Sequence, residues 1–187
     1  MSEKYKFGDS CLPHSVSYSV VNWINLFVRM EYFNVIKASL SYCIDNKGLI
    51  VNAWCIMPSH IHLIIRSDTS DLSEIMRDMK KFTSKKLIQK LKITTKESRR
   101  NWLLRMFKKS GKSTGQNKYY QVWQQGNHPI ELDTNEKVNQ RLQYLHMNPV
   151  KAGFVEKQED WKFSSAKQYA GGKGMLMLEK VEGYHNV

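Results

Sequence analysis

The spacing of apolar residues changes along the first third of the chain from a strand period to a helical one. Over residues 15–21, valine and tyrosine alternate with serine, which is typical of a half-buried strand. Over residues 31–46, apolar side chains recur every three or four positions, and an Asn-Lys-Gly sequence then predicts a helix end. Two apolar runs, residues 49–57 and 61–65, flank a Pro-Ser pair and predict antiparallel strands.

The second half of the chain contains two more helical patterns with a less regular segment between them. Asp71, followed by a glutamate three residues later, forms a capping signature for a helix that we expect to reach about Lys90. Residues 93–118 are basic at first, and their Gly- and Ser-rich part, residues 110–118, predicts a mobile loop. The next helix should cover residues 134–147, because the Asn that precedes a proline avoids the helical conformation.

The order of these elements predicts the fold class. Residues 122–132 supply short extended pieces, so the order is strand, helix, strand, strand, helix, strand, helix. That order suits an α+β fold, a ferredoxin-like antiparallel sheet with packed helices. With 187 residues, we expect one domain over residues 1–187, in which residues 93–118 are a basic insertion and a tail after about residue 162 wraps the surface.

Composition excludes several classes of protein. A content of 41% hydrophobic and 25% charged residues is ordinary for a globular domain and argues against disordered or fibrous proteins. No apolar run approaches the roughly 20 residues that cross a bilayer, so we expect no membrane association. Three cysteines, an odd number without zinc-site spacing, favour reduced thiols in a cytoplasmic protein.

The positive charge is concentrated in one segment. The formal net charge is +12, and the segment from Arg77 to Lys112 holds fourteen basic and two acidic residues, which leaves 15 of each elsewhere. Such a segment is expected where a protein binds a polyphosphate, most often nucleic acid. A solvated helix that only aids solubility would show the same charge. A membrane-surface helix is disfavoured because the aromatic residues there are few and scattered.

Two histidines provide the first candidate chemistry. His60 and His62 are two residues apart on a predicted strand, so their imidazoles lie on one face. Two neutral imidazoles can form half of a divalent-metal site. A hydrogen-bonded pair at the end of a sheet is the alternative. A zinc site completed by Cys55 is conceivable, but Cys55 lies on the other strand of the predicted hairpin, and no other strong ligand for a catalytic zinc is identified in the sequence.

The predicted helix before the Asn-Pro pair provides the second set of candidate residues for chemistry. Tyr144 and Asn148 are four residues apart and therefore neighbours on one helix face. A phenol beside a bound cation suits phosphodiester transfer to tyrosine, since the ion polarises the phosphate and covalent capture conserves the bond energy for rejoining. Ordinary amphipathic packing would also explain this face. Its polar residues are Lys137, Arg141, Tyr144 and Asn148.

Three sequence strings resemble a known family. AWCIMPSHIHLII, residues 53–65, is similar to the His-hydrophobic-His (HUH) motif of the single-tyrosine transposases of insertion sequences. YLHMNPVKAG, residues 144–153, resembles the catalytic-tyrosine segment of their REP-associated branch, and WKFSSA, residues 161–166, resembles a tail signature of that branch. The resemblance covers about residues 12–172.

The resemblance implies a fold, a reaction and partners. It implies the ferredoxin-like HUH nuclease fold, with His60, His62 and Asn148 as metal ligands and Tyr144 as the nucleophile that forms a 5′-phosphotyrosine. The implied substrate is single-stranded DNA with a palindrome that folds into a hairpin, and the implied cofactor is Mg²⁺ or Mn²⁺. Family members that mobilise insertion sequences are homodimers, whereas REP-associated members can act as monomers, so the resemblance allows a homodimer here as well as a monomer. The implied location is the bacterial cytoplasm, at the nucleoid during the reaction.

The remaining predictions concern DNA contacts. Trp123 and His128 could contact extruded bases, although a core tryptophan and a loop histidine are the simpler interpretation. His146 should point away from Tyr144, so we expect a structural role for it. The residues predicted to contact phosphates are Lys80, Lys81, Lys85, Lys86, Arg99, Arg100 and Arg141.

Two other functions remain open at this point. The first is a non-catalytic hairpin-DNA-binding protein, for example one retained by its host, although such a protein has no need of His60, His62 and Tyr144 together. The second is a metal-dependent phosphodiesterase that activates water, which would release its product without a covalent adduct.

Overall fold

An antiparallel sheet of four strands forms the centre of the molecule. The computed structural model describes residues 6–114, 119–126 and 128–181. The strands are β1 (His14–Ser19), β2 (Ile50–Ile56), β3 (His60–Arg66) and β4 (Ile130–Glu131). Their order across the sheet is β2-β3-β1-β4, with every neighbouring pair antiparallel. This is the ferredoxin-like α+β arrangement expected from the order of elements.

Helices cover both faces of this sheet. The α-helices are α1 (Met30–Lys47), α2 (Leu72–Ile93), α3 (Arg100–Thr114), α4 (Asn135–Lys151) and α5 (Ala166–Tyr169). Helices α1, α2 and α3 bury their apolar side chains with Val16 and Tyr18 of β1. Helix α4 packs on the opposite face, where its leucines contact Ile64 of β3 and Cys55 of β2. Because side chains alternate along a strand, His60 and His62 share the face of Ile64 and therefore lie on the α4 side.

The predicted start of α2 and end of α1 are confirmed. The Asp71 carboxylate accepts a hydrogen bond of 2.6 Å from Ser73 N, which satisfies one of the free N–H groups of the first helical turn. Gly48 has φ +64° and follows the last residue of α1, a left-handed conformation that glycine adopts readily. No helix in the described part of the chain is both long and apolar enough to span a bilayer.

The prediction of a loop over residues 110–118 is wrong for its first half. Helix α3 continues to Thr114, because Phe107 is fully buried and anchors the preceding turn against the core. Gly111, which suggested a loop, instead permits close packing, since a Cβ there would lie 3.1 Å from Tyr120 N. Residues 115–118 lie outside the described residues.

The prediction that α4 ends before its proline is also wrong. The helix passes through Pro149 to Lys151. Proline removes a single backbone donor, and the ladder resumes directly afterwards, with Ala152 N donating to Asn148 O at 3.0 Å. Asn148 Nδ2 donates to Tyr144 O at 2.8 Å, which adds a bond within the same turn. The buried Pro149 ring thus belongs to the last turn of the helix.

The C-terminal tail covers the free edge of β2. Ile56 N donates to Phe163 O at 2.8 Å, and Ser165 N donates to Trp54 O at 2.9 Å. Ser165 is fully buried, and its hydroxyl accepts a 3.0 Å hydrogen bond from Trp54 N. The tail was expected to wrap the surface, but its first residues are an integral part of the sheet edge.

Candidate functional site

His60 and His62, called the histidine pair below, lie at the start of β3 on the α4 face. In the β1–β3 ladder His60 is opposite Ser19 and His62 is opposite Ser17. The two imidazole centroids are 4.8 Å apart and the rings are perpendicular. The spacing of two residues on a strand therefore places both rings together, as the sequence predicted.

Serine hydroxyls orient both rings through one nitrogen each. Ser17 Oγ is 2.7 Å from His62 Nδ1, and Ser59 Oγ is 3.1 Å from His60 Nδ1. His62 Nε2 is buried and has no hydrogen-bond partner among the described residues. A buried, unpaired nitrogen is costly, so this atom is a candidate for contact with a bound ligand or ion.

The site keeps both imidazoles neutral. The pKa of His62 is lowered to about 3, mainly by burial and to a smaller extent by the neighbouring His60, while the Asn148 side chain partly opposes the shift. Burial also lowers the pKa of His60. A neutral imidazole is the form that binds a metal ion, so the pair is ready to do so at neutral pH.

Tyr144 projects from α4 towards the histidine pair. Its ring centroid is 5.6 Å from that of His62, at an angle of 88°. Leu142 and Leu145 hold the helix against the sheet, while Tyr144 keeps 44% of its surface exposed and is accessible to a large substrate. Lys151 Nζ lies 5.8 Å from the Tyr144 ring centroid, so a cation lies beside the phenol.

Asn148 lies one turn after Tyr144 on α4, and its side chain interacts with His62. Its Nδ2 donates to Tyr144 O, which fixes the side chain and leaves Oδ1 as the atom with lone pairs to offer. Its influence on the pKa of His62 shows that the two side chains are close. The nucleophile candidate and an oxygen donor are thus presented by one rigid element.

The donor set fits a divalent ion with open coordination positions. Within the described residues there is no group of three or more His, Cys, Asp or Glu side chains that could hold a metal. Two imidazoles and an amide oxygen remain, a set that leaves room for substrate oxygens. Cys55 lies opposite His62 in the ladder, but burial raises the pKa of its thiol to about 12, so it is a poor zinc ligand.

Two of the residues predicted to contact phosphates make internal interactions. Lys80 Nζ donates to the carbonyl oxygens of Gln124 and Gly126, both at 3.0 Å, and burial lowers the pKa of Lys80 to about 8. Arg99 makes two hydrogen bonds to the buried Glu97 carboxylate, at 3.0 and 3.1 Å. These two cations therefore stabilise the fold in this structure.

The other predicted phosphate contacts lie at the surface. Lys81, Lys85 and Lys86 are exposed along α2, on the sheet face opposite the histidine pair. Arg100 begins α3 and donates to Thr94 O at 3.3 Å. Arg141 is half-buried on α4, one turn before Tyr144.

Helix α3 carries a basic surface that the sequence analysis did not assign. No helix was predicted over the basic residues 93–109, and residues 110–118 were predicted to be a loop, so the helical spacing of the charges was missed. Asn22 Nδ2 donates to Ser110 Oγ at 3.4 Å, so α3 reaches the turn Val21–Trp23, where the Trp23 ring lies beside His60. The exposed residues of this surface, called the α3 basic face below, are Trp102, Arg105, Lys108, Lys109 and Lys112.

Of the three remaining aromatic residues, Trp123 and His146 are buried and His128 is exposed. Trp123 is 5% exposed, and its indole donates to Thr83 Oγ1 at 3.0 Å, so the core interpretation is confirmed. His128 lies in an exposed loop with φ +44°. His146 is fully buried and its Nε2 is 2.8 Å from Ser165 Oγ, which agrees with a structural role.

A known protein family matches the part of the chain that carries most of this site. The family model described as "Transposase IS200 like" matches residues 26–147, more than half of the chain. The chain belongs to the IS200-like transposase family. The matched residues include the histidine pair and Tyr144, whereas Asn148 follows directly after them.

Two individual proteins are similar to this IS200-like transposase. A curated protein of Haemophilus influenzae, named as a REP-associated tyrosine transposase, is 23% identical over 135 residues, or 72% of this chain and 69% of the relative. A solved structure of a REP-associated tyrosine transposase bound to a REP hairpin superposes with a TM-score of 0.63 at 19% identity. The match covers 98% of this chain and 95% of that one. At this identity the superposition shows a shared fold.

Proposed function

We propose that this IS200-like transposase cleaves and rejoins single-stranded DNA at hairpin-forming sites through a 5′-phosphotyrosine on Tyr144. The observation that supports this most directly is the 5.6 Å between the Tyr144 and His62 rings. A phenol that is accessible, and that lies beside two neutral imidazoles with an unpaired buried nitrogen, suits phosphodiester transfer. The REP hairpin bound to the structural neighbour supports a folded single strand as the substrate.

In this proposal His60, His62 and Asn148 hold a divalent ion, Mg²⁺ or Mn²⁺. When bound, the ion withdraws electron density from the scissile phosphate and so lowers the barrier to attack. Ser17 and Ser59 fix the ring orientations through Nδ1, so that each Nε2 can act as the ligand atom.

Tyr144 then acts as the nucleophile. Its Oη attacks the phosphorus and loses its proton to solvent, the bond between phosphorus and O3′ breaks, and the 3′ oxygen leaves as a hydroxyl after taking up a proton. The 5′ phosphate remains on Tyr144, and attack by a 3′ hydroxyl reverses the reaction and rejoins the strand. Lys151, 5.8 Å from the ring, favours the negative charge that develops there.

DNA outside the site would be held by basic side chains. We propose that the α3 basic face contributes to this binding together with the exposed Lys81, Lys85 and Lys86 of α2. Helix α3 has no acidic residue in its first turn and ends close to the turn beside His60, so its charge lies near the site. Phosphate contacts of this kind are independent of base sequence.

The experiment that tests the proposal is covalent trapping. The protein is incubated with labelled hairpin DNA from the flanks of its own coding region and with Mn²⁺ or Mg²⁺, and label on the protein is measured on a denaturing gel. We expect a metal-dependent adduct that disappears in Tyr144→Phe, while DNA binding stays within about twofold because the ring remains. His60→Ala and His62→Ala should each lose the adduct.

The controls separate the competing functions. Tyr169→Phe is the matched control for loss of a phenol hydroxyl, since Tyr169 Oη donates to Asn52 O on the far side of α4. An adduct that persists in Tyr144→Phe would exclude Tyr144 as the nucleophile. Cleavage without any adduct would support a phosphodiesterase that activates water, and tight binding with neither would support a non-catalytic hairpin-binding protein.

A further inference from the structure

The indole of Trp23 lies exposed beside the histidine pair. Its ring centroid is 5.4 Å from that of His60, at an angle of 71°, and 60% of its surface is accessible. The ring takes no part in the core, in contrast to the indoles of Trp54 and Trp123. A large aromatic side chain at the rim of a candidate active site is a typical binding surface.

The backbone under this side chain is held in an unfavourable conformation. Asn22 has φ +56° and Trp23 has φ +53°, two successive left-handed residues that are not glycine. Asparagine tolerates this region, whereas tryptophan seldom adopts it. Strain of this kind persists where the surrounding structure enforces it, and it concentrates at ligand-binding positions.

The turn is anchored on both sides by main-chain hydrogen bonds. Val20 N donates to Ser59 O and Phe27 N donates to Pro58 O, both at 2.8 Å, so the segment is attached to the β2–β3 turn. Val21 N donates to Val122 O at 2.8 Å, and the Val21 side chain is buried. The indole is therefore presented on a rigid support and loses little conformational freedom when it binds a ligand.

The surroundings of Trp23 favour a nucleic acid as that ligand. Asn22 connects the turn to Ser110 of α3, whose exposed side carries four Lys and Arg residues and Trp102. On the other side lies the histidine pair, where the proposed function places a phosphate. An aromatic ring between a basic surface and a phosphate site matches the way single strands are bound, with phosphates on cations and bases stacked on rings.

We propose that Trp23 is a stacking platform for one unpaired base of the DNA adjacent to the phosphate at the histidine pair. This inference rests on the proposed function and goes beyond it by assigning a position in the substrate. Stacking tolerates any base, so Trp23 would align the strand for attack and leave sequence recognition to other residues.

The test removes the base and the ring separately and together. In the full chain with Tyr144→Phe, which permits binding without cleavage, affinity is measured for the hairpin oligonucleotide with an abasic position at each unpaired nucleotide in turn. At one position we expect loss of the base to weaken binding about tenfold. The same loss should have less than about a twofold effect once Trp23→Ala is present.

Three further variants keep the test interpretable. Trp23→Phe retains a ring and should preserve most of the difference between base and abasic DNA. Trp23→Gly suits the left-handed backbone, should melt no lower than the parent, and should behave as Trp23→Ala does in binding. Tyr42→Ala removes an aromatic ring of similar exposure (58%) from α1. It should leave unchanged the abasic profile, that is, the loss of affinity caused by an abasic site at each unpaired position.

The outcomes separate this inference from the proposed function. If the protein with Tyr144 intact forms an adduct but the abasic profile is the same with and without Trp23, the role of Trp23 is overturned alone. If that protein neither forms an adduct nor binds the oligonucleotides, the proposed function fails and the stacking role fails with it.

Discussion

Glu97 is a buried carboxylate that pairs with two arginines, so part of the positive charge of the chain stabilises the fold. Its side chain is only 2% exposed, and it accepts hydrogen bonds from Arg99 at 3.0 and 3.1 Å. Arg29 Nε lies 3.4 Å from the same carboxylate. The hydrogen bonds from Arg99 are the main reason why the pKa of Glu97 lies below its ordinary value. This buried group joins the start of α1 to the segment before α3.

We expect Glu97→Gln to lower the free energy of unfolding by roughly 2–3 kcal/mol at pH 7, because it leaves two guanidinium groups without their counter-charge. A carboxylate with a depressed pKa stabilises the fold above its unfolded pKa and loses that effect as the pH falls through its folded pKa. The difference from the parent should therefore shrink below about pH 4. Urea unfolding between pH 7 and pH 3 measures it.

Glu156→Gln is the matched control for this change, since Glu156 is exposed. It should alter stability by less than about 0.5 kcal/mol at each pH. A difference between Glu97→Gln and the parent that does not vary with pH would show that the ionised carboxylate is not the source of the effect.

Sequence spacing predicts residue positions only where the relevant geometry is local. The shared face of His60 and His62 follows from the strand period, and the cap at Asp71 follows from its helix. The bond between Ser17 and His62 depends on the register of two strands 45 residues apart, which no local pattern contains. For the same reason the burial of Lys80 against the segment after Trp123 could not be inferred.

At the scale of elements, α3 changes the distribution of charge. It packs Leu103 and Phe107 into the core, and this orients its charged side chains outward. The charges that are continuous in sequence are therefore split between α2, which faces away from the histidine pair, and α3, which ends near it. Gly and Ser near the end of α3 led to the loop prediction there, because tertiary packing overrides their loop propensity. The first part of α3 was described only as basic, and no helix was predicted for it.

Neutralising the α3 basic face should weaken DNA binding and its dependence on salt. We expect the combined Arg105→Gln, Lys108→Gln, Lys109→Gln and Lys112→Gln variant to reduce the slope of log K against log salt. The reduction should be about 0.7 for each phosphate that is no longer neutralised, up to roughly 3 in all. Glutamine keeps helix propensity, so the fold should remain. Titrations of hairpin DNA at several salt concentrations provide the slope.

The control for net charge is a second quadruple variant, with glutamine at Lys157, Lys162, Lys167 and Lys173, all exposed in the C-terminal part. It removes the same charge and should change the slope by less than about 1. Equal slopes in the two variants would mean that the α3 basic face does not contact the DNA phosphates.

Helix α4 shows a second limit of prediction at this scale. Its start at Thr134 and its apolar face were predicted correctly, but the rule for residues before proline placed its end too early. As a result Lys151, seven residues after Tyr144 and so two turns further along, was not recognised as a neighbour of the phenol. A proline in the last turn removes few hydrogen bonds and does not end this helix.

At the scale of the whole molecule, the sheet separates the larger hydrophobic core from the candidate site. One face, under α1, α2 and α3, forms the larger core, and the other carries the candidate site under α4. The α+β class could be predicted, because the local periodicity of apolar residues shows the order of strands and helices. The closure of the β2 edge could not, since Trp54 and Ser165 are 111 residues apart.

Ser165 is the residue on which that closure depends. Its hydroxyl accepts from Trp54 N, donates to Trp54 O at 3.2 Å and is 2.8 Å from His146 Nε2. Ser165→Ala leaves buried polar groups unpaired, so we expect a loss of roughly 2–3 kcal/mol in unfolding free energy, measured by urea denaturation. Ser73→Ala, at an exposed position of α2, should cost less than about 0.5 kcal/mol. Comparable losses in both variants would contradict the role of Ser165.

The closure of the β2 edge also has a consequence for synthesis of the chain. Trp54 leaves the ribosome well before Ser165, and at roughly 5–20 residues per second the 111 intervening residues take about 6–22 s to add. During that interval β2, with its apolar sequence IVNAWCI, presents unpaired main-chain groups to other nascent chains. Lower growth temperatures lengthen the interval, so the yield of folded protein should depend on how well chaperones shield this strand until the tail arrives.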